Sequence, residues 1–297
     1  MSFEDLPAVE DPPTYVREIR GCSKCGRPAR VCVCSALPSQ LIELTGSVLI
    51  LQHPHEVRRS LGTVRLLPRC VSRLTIAVGR TIKGTSRKDA ANIAGLIDGA
   101  VEQECPVLLL YPAKGATSLA LFADSPSFGA RLAAAHNHPS STPPGRAYLL
   151  IALDGTWTNA REMFNALPPT WLGADGLVKL VQLPEPSANS STVHLPEAST
   201  GLGTAAVSAG KGTAAQGGET LSLPCLIRPE PELSHVTTYE AISRAVAILE
   251  HWDPSQLQKC LAPLRMMTQL QAAFNPAIHA REQEYLAALQ QRELSHQ

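Results

Sequence analysis

Asp154, Gly155, Thr156 and Trp157 follow directly on the apolar run YLLIAL (148–153) and lead into TNAREMFNAL. An apolar run that breaks at glycine and resumes with helical spacing predicts a strand feeding a helix. The carboxylate, hydroxyl and indole then stand at the strand's carboxyl end, where open α/β sheets keep their ligands. A carboxylate there can take or orient a proton, and an indole offers a flat face for stacking. Three other segments have comparable ends. LILQHPHE closes an apolar run with Gln52, His53, Pro54 and Glu56, LLLYPAKG closes one with Tyr111 and Pro112, and LSHVTTYEA opens a late helical pattern with Thr237, Thr238 and Glu240. With parallel strands, the first three endings converge on one crevice. Each has an ordinary reading by itself: a Pro-containing turn for 52–56, a capping box for Thr237 and Glu240. The combination carries the functional case.

The stretch CSKCGRPARVCVC places Cys22, Cys25, Cys32 and Cys34 within thirteen residues. Four thiolates so close can close a tetrahedral Zn²⁺ site, which favours zinc over reduced, unliganded cysteines. Such a site is structural, because four protein thiolates leave no open position for a substrate. Cys70, Cys105, Cys225 and Cys260 are scattered, and His136 and His138 sit in a polar, Pro-rich loop that reads as solvated.

Lys+Arg and Asp+Glu balance at 26 each, but their distribution is uneven. Arg58, Arg59, Arg65, Arg69, Arg73, Arg80, Lys83, Arg87 and Lys88 occur without one intervening acid, and Arg17, Arg20, Lys24, Arg27 and Arg30 surround the cysteines against Glu18 alone. That is an electrostatic footprint for a polyanion. Because the run starts just after the 52–56 turn, it is expected to border the crevice, with Arg58, Arg59, Arg65, Arg69, Lys83 and Lys88 as candidate nucleic-acid contacts.

Positioning these residues requires strands at SVLILQH, LTIAV, VLLLY, AYLLIAL and LVKLVQL, with helices at SRKDAANIAGLIDGAVEQE and TNAREMFNAL and, later, near 237–251 and 255–274. Strands alternating with helices predict a mainly parallel sheet covered on both faces. With 297 residues and 44% hydrophobic content, a sizeable core is available. Residues 185–223 are rich in Ser, Thr, Gly and Ala and hold no aromatics, so a disordered insertion is expected there. The plan is a flexible amino terminus (1–17), a zinc-binding segment (18–44), a catalytic domain (45–275) and a helical tail (276–297). No window approaches the roughly 18 apolar residues of a membrane span, and MSFEDLPAVEDPP is acidic, unlike a targeting signal. A cytoplasmic or nuclear protein without membrane association is expected.

DGTW, QHPHE with Thr63 downstream, TTYEA, the Cys-rich amino-terminal segment and the LLLYP strand end together resemble the DTW-domain family over roughly residues 20–275. Two departures stand out: SLGT stands where an Asn is expected before Thr63, and Thr237 replaces a commoner Ser. The resemblance implies a SPOUT-like, knotted α/β fold. It also implies transfer of the 3-amino-3-carboxypropyl group of S-adenosylmethionine to N3 of a tRNA uridine, releasing methylthioadenosine. Asp154 is then the first choice for a base or orienter and Glu56 the second. Gln52, His53, Pro54, Tyr111, Pro112, Gly155, Thr156, Trp157, Thr237, Thr238 and Glu240 are expected to hold the donor. The rivals are a zinc-bearing RNA-binding module, which leaves the carboxylates and Trp157 unexplained, and an S-adenosylmethionine-dependent RNA methyltransferase. LDGT also resembles a phosphatase nucleophile motif, but Thr156 stands where that motif needs a second Asp.

Overall fold

The computed structural model describes residues 21–59, 61–81, 85–137, 146–172, 176–184 and 236–280, with isolated helical positions 283 and 287. The expectations for 1–17, for the 185–223 insertion and for most of 276–297 lie outside the described residues, whereas 276–280 are helical.

Six strands form one sheet: β1 (Ser47–Gln52), β2 (Leu74–Val78), β3 (Val107–Leu110), β4 (Thr117–Ser118), β5 (Leu149–Asp154) and β6 (Val178–Gln182), ordered β2-β1-β5-β3-β6-β4. Every pairing is parallel, as near-continuous apolar runs predict. All six positions of β5, the central strand with β1 and β3 on either side, are buried. The helices are α1 (Pro54–Val57), α2 (Arg87–Glu102), α3 (Leu119–Ala123), α4 (Pro126–His136), α5 (Trp157–Asn165), α6 (Thr238–Leu249) and α7 (Pro254–Ala272), followed by the helical residues 276–280. The period-2 alternation of the strands sorts the core into two layers. Val48, Ile50, Leu108, Leu150 and Ala152 face α3, α4, α6 and α7. Leu49, Leu51, Leu109, Leu149, Ile151 and Leu153 face α2 and α5. Cys25 and Val33 of the cysteine segment pack into the first layer with Leu261, Leu264 and Met267 of α7.

A buried carboxylate fixes the direction of α6. Glu250, just past its end, accepts hydrogen bonds from Thr45 N (2.9 Å), Gly46 N (3.3 Å), the Thr45 hydroxyl (2.9 Å) and the Tyr148 hydroxyl (2.7 Å). Gly46 is needed there, since a Cβ would lie 2.5 Å from the Tyr148 ring. Thr45, Gly46 and Tyr148 immediately precede β1 and β5, so the carboxyl end of α6 lies at the amino edge of the sheet. Its twelve residues span roughly 18 Å, about the length of a six-residue strand. Its amino end therefore returns to the strands' carboxyl edge. Helices α3 and α4 and the two-residue β4 fall in TSLALFADSPSFGARLAAAH, a stretch for which the sequence predicts no element. The Ser-Pro interruption and short apolar spacing blur its period.

Candidate active site and metal centre

At the carboxyl edge Gln52 and Asp154 are directly paired across β1 and β5. Gln52 Nε2 donates to Asp154 Oδ2 at 2.7 Å, and His53 N donates to the Asp154 carbonyl at 2.8 Å. Both side chains project on the α6 side, two residues beyond Ile50 and Ala152 of that layer. Asp154 is buried, 6% exposed. The amino end of α6 supplies Thr237, whose hydroxyl oxygen accepts from Glu240 N at 3.3 Å, with half-buried Thr238 beside it. Glu240 is buried and its Oε1 accepts from Arg244 Nη2 at 2.7 Å and Nε at 3.1 Å. Arg265 of α7 comes close to the same pair; burial holds its guanidinium below the ordinary arginine range while Glu240 opposes that shift. Thr237 caps the helix as the sequence predicts.

His53, one residue on, projects to the α5 side. It caps α1: its Nδ1 accepts from His55 N at 3.3 Å, so the ring proton of the neutral form is assigned to Nε2. Nε2 is buried and has no hydrogen-bond partner among the described residues. Burial, then the neighbouring His55 and Arg80, push its pKa below the ordinary histidine value. Gly155 lets α5 approach, because a Cβ there would lie 3.0 Å from Asn159 Cβ and 3.6 Å from His53 Cβ. Thr156 caps α5 by accepting from Asn159 N at 3.3 Å, and half-buried Trp157 is the first helical residue. Tyr111 stacks on Phe164 of α5, ring centroids 4.3 Å apart, with Pro112 exposed beyond it. Pro54 opens α1, and Glu56 is buried with its Oε1 3.2 Å from Arg59 Nε.

Helices α2, α5 and α6 all begin at this edge: α5 directly after β5, α2 after the carboxyl end of β2, and α6 by the direction Glu250 imposes. Each start is capped by a hydroxyl, Ser86, Thr156 or Thr237. Three amino-terminal dipole ends give the crevice a positive field suited to an anionic group.

The basic run is a ribbon, which corrects the expectation that all of it borders the crevice. Arg58, Arg59, Arg80, Arg87 and Lys88 are exposed near the carboxyl edge. Arg65 and Arg69 are exposed on the 3₁₀ segment Val64–Arg69, which carries the chain back over the α6 layer. Arg73 reaches the amino edge, where its Nη1 donates to the Thr45 carbonyl at 3.3 Å. The cause is topological, since two parallel neighbours require the connection to recross the sheet. Lys83 lies outside the described residues.

The four cysteines come together as their spacing predicts. All four Sγ atoms lie within 4.8 Å of one another, with Cys22–Cys34 at 3.4 Å and Cys25–Cys32 at 3.7 Å. A tetrahedral zinc with Zn–S bonds of about 2.3 Å separates its sulfurs by about 3.8 Å. The loop is tied by Gly26 N donating to the Cys22 carbonyl at 2.7 Å, with Gly26 at φ +69°. Backbone N–H groups of Cys25 and Lys24 stabilise the Cys22 thiolate and lower its pKa to about 6, whereas burial and the other thiols push Cys34 up to about 12.

A model of the DTW domain matches residues 19–272. This chain belongs to the DTW domain family. It is 26% identical over 253 residues to tRNA-uridine aminocarboxypropyltransferase A of Arabidopsis thaliana, covering 85% of this chain and 81% of the relative. It is 32% identical over 146 residues to tRNA-uridine aminocarboxypropyltransferase 2 of Mus musculus (48% of this chain, 40% of that one) and 28% identical over 165 residues to the Drosophila melanogaster protein of the same name (55% of each). The chain thus spans about half or less of the latter two. No solved structure matches it. Within this DTW domain the structure joins Gln52, Asp154 and the α6 start on one side of the edge, and His53, Gly155 and the α5 start on the other. The sequence reading missed Arg244 and Arg265. Arg244 was legible as the i+4 partner of Glu240; Arg265 comes from another helix and carries no local signal.

Proposed function

We propose that the chain is a tRNA-uridine aminocarboxypropyltransferase, taking the 3-amino-3-carboxypropyl group from S-adenosylmethionine to N3 of a tRNA uridine. The observation that carries this is the Gln52–Asp154 pair set between the capped starts of α5 and α6, read with the names of its DTW relatives. The donor supplies a sulfonium leaving group: N3 bonds to the aminocarboxypropyl γ-carbon, the γ-carbon–sulfur bond breaks with its electron pair going to sulfur, and methylthioadenosine departs. The protein must therefore select one of three carbons on sulfur and hold it in line.

The residues fit that task. The starts of α5 and α6 suit the donor's carboxylate, and the buried Nε2–H of His53 offers one more donor facing no protein partner among the described residues. Thr156 and Thr237, whose hydroxyl oxygens cap α5 and α6, can still donate through their O–H groups, Thr238 adds a third hydroxyl, and Trp157 can stack on adenine or uracil. Gln52 orients Asp154, which takes the N3 proton as the carbon–nitrogen bond forms. Glu56, paired with Arg59, is the second candidate. Arg58, Arg59, Arg65, Arg69, Lys83 and Lys88 would hold tRNA phosphates, whose contacts position without reading sequence. Zinc at Cys22, Cys25, Cys32 and Cys34 would be structural and organise residues 18–44, as their sulfur spacing suits.

The chain path would be SPOUT-like and knotted; the entry of β5 between β1 and β3 supports this. An experimental backbone trace in which no segment passes through a loop would remove the knot from the proposal. The function is tested by nucleoside mass analysis of tRNA after incubation with protein and S-adenosylmethionine. A mass gain matching aminocarboxypropyl on uridine is expected. A methyl gain would make the chain a methyltransferase, and no gain in a protein that binds both ligands would refute transfer.

A further inference from the structure

The cysteine segment and the far end of α7 meet at a shoulder that the proposed chemistry does not use. Arg30 places its guanidinium 5.7 Å from the centre of the Phe274 ring. Phe274 is 58% exposed, and Arg30 above it and Lys24 of the same cysteine segment are exposed. The ring is held in place by its backbone: Phe274 N and Asn275 N both donate to the Gln271 carbonyl, at 3.1 and 2.9 Å, and the Asn275 side chain accepts from Ala277 N at 3.0 Å. Buried Ile278 anchors the turn from the other side. A single exposed aromatic is ordinary; an exposed aromatic fixed by its backbone under a guanidinium is a stacking platform.

The charge around it has one sign. Residues 19–42 and 254–281 contain no Asp or Glu, and neither do residues 57–88. Lys24, Arg30, Lys259 and Arg265 lie in the first two stretches, and the Val64–Arg69 segment that carries Arg65 packs through Val64, Leu66 and Leu67 into the same core layer as Cys25 and Val33. The basic ribbon therefore continues from the Val64–Arg69 segment onto the shoulder.

The direction of α7 places the shoulder relative to the crevice. It starts at the amino edge just after Glu250, and by Arg265 it has reached Glu240 at the start of α6. Ala272, its last residue, lies roughly 10 Å further along, with Phe274 beyond. A polynucleotide with one base in the crevice can reach this ring without leaving positively charged surface.

We propose that Lys24, Arg30 and Phe274 form a second RNA-binding surface, on which an unpaired base outside the modified position stacks against Phe274 and Arg30 while Lys24 and Arg65 hold the adjoining phosphates. Single-stranded bases stack on aromatic rings and on Arg planes, whereas an acid-free surface offers no counterpart to a basic or neutral peptide. This rests on tRNA being the substrate.

The test uses the full chain and unmodified tRNA, reading binding by fluorescence anisotropy and transfer by single-turnover kinetics. Phe274→Ala and Arg30→Ala should each weaken tRNA binding about tenfold, Phe274→Trp should retain it, and S-adenosylmethionine affinity, melting temperature and the transfer rate at saturating tRNA should stay within twofold of wild type. Wild-type tRNA affinity in both Ala variants overturns the surface. Equal weakening in Phe274→Trp and Phe274→Ala also overturns it, since an indole stacks as well as a phenyl ring. If wild type transfers nothing, the functional reading fails, and the binding comparison still decides the surface by itself.

Discussion

Replacing Asp154 with Asn separates chemistry from architecture, because the structure sets different magnitudes for the two. Asn keeps an oxygen to accept from Gln52 Nε2, which now bonds Asp154 Oδ2 at 2.7 Å. A hydrogen bond to a charged group contributes about 1.5–3 kcal/mol and a neutral one about 0.5–1.5, so the change costs about 1 kcal/mol. Relief from burying an anion that is 6% exposed offsets part of that. The melting temperature should therefore move by no more than about 4 °C. The backbone bond from His53 N to the Asp154 carbonyl is untouched. Loss of a proton acceptor, by contrast, should slow transfer by about 10² or more, or roughly 2.7 kcal/mol on the barrier. The assay is single-turnover transfer across pH, with tRNA and S-adenosylmethionine affinities measured alongside. If the Asn variant stays within a few-fold of wild type at every pH, Asp154 is not the proton acceptor, and Glu56 inherits the role.

Purified protein should carry one zinc per chain, and its removal should lower the melting temperature, because Cys25 and Val33 share a core with α7; metal-free protein with four freely titrating thiols would contradict this. Tyr148→Phe removes one donor from buried Glu250 and should cost about 2 kcal/mol, or roughly 4–8 °C in melting temperature; an unchanged melt would mean the clamp does not hold α6. His53 has a depressed pKa, so above the unfolded value of about 6.5 both states are neutral, and below it the unfolded chain binds the extra proton. Stability should fall as pH drops below about 6.5, less steeply in His53→Asn, which can still cap α1; parallel melt-versus-pH curves for the two proteins would refute this.

Much of the sheet was legible because its signals are local. Apolar runs bounded by Gly, Pro or a carboxylate mark β1, β2, β3, β5 and β6, and parallel pairing then sets Gln52 beside Asp154 without further information. The cysteine cluster was legible for the same reason, all its ligands lying in one short loop. The two sides of the edge were not. Whether a residue faces α5 or α6 depends on parity along the strand, which separates His53 from Gln52 although they are neighbours. The basic run misled because sequence proximity was taken for spatial proximity, when the connection from β1 to β2 must cross the whole sheet and delivers Arg73 to the opposite edge.

The placement of TTYEA at the crevice shows the deeper limit. Its helix begins long after β6 in sequence, and nothing in the motif says which edge it approaches. What decides is Glu250 at the other end, twelve residues past Thr238, whose carboxylate gathers Thr45, Gly46 and Tyr148 from the starts of β1 and β5. Losing that carboxylate would leave the Tyr148 hydroxyl and two backbone N–H groups buried without their acceptor, a penalty of several kcal/mol against any reversed docking of α6. A group remote from the chemistry therefore determines that Thr237 and Glu240 stand at the edge that carries Asp154, and only the long-range contact, not the motif, could reveal it.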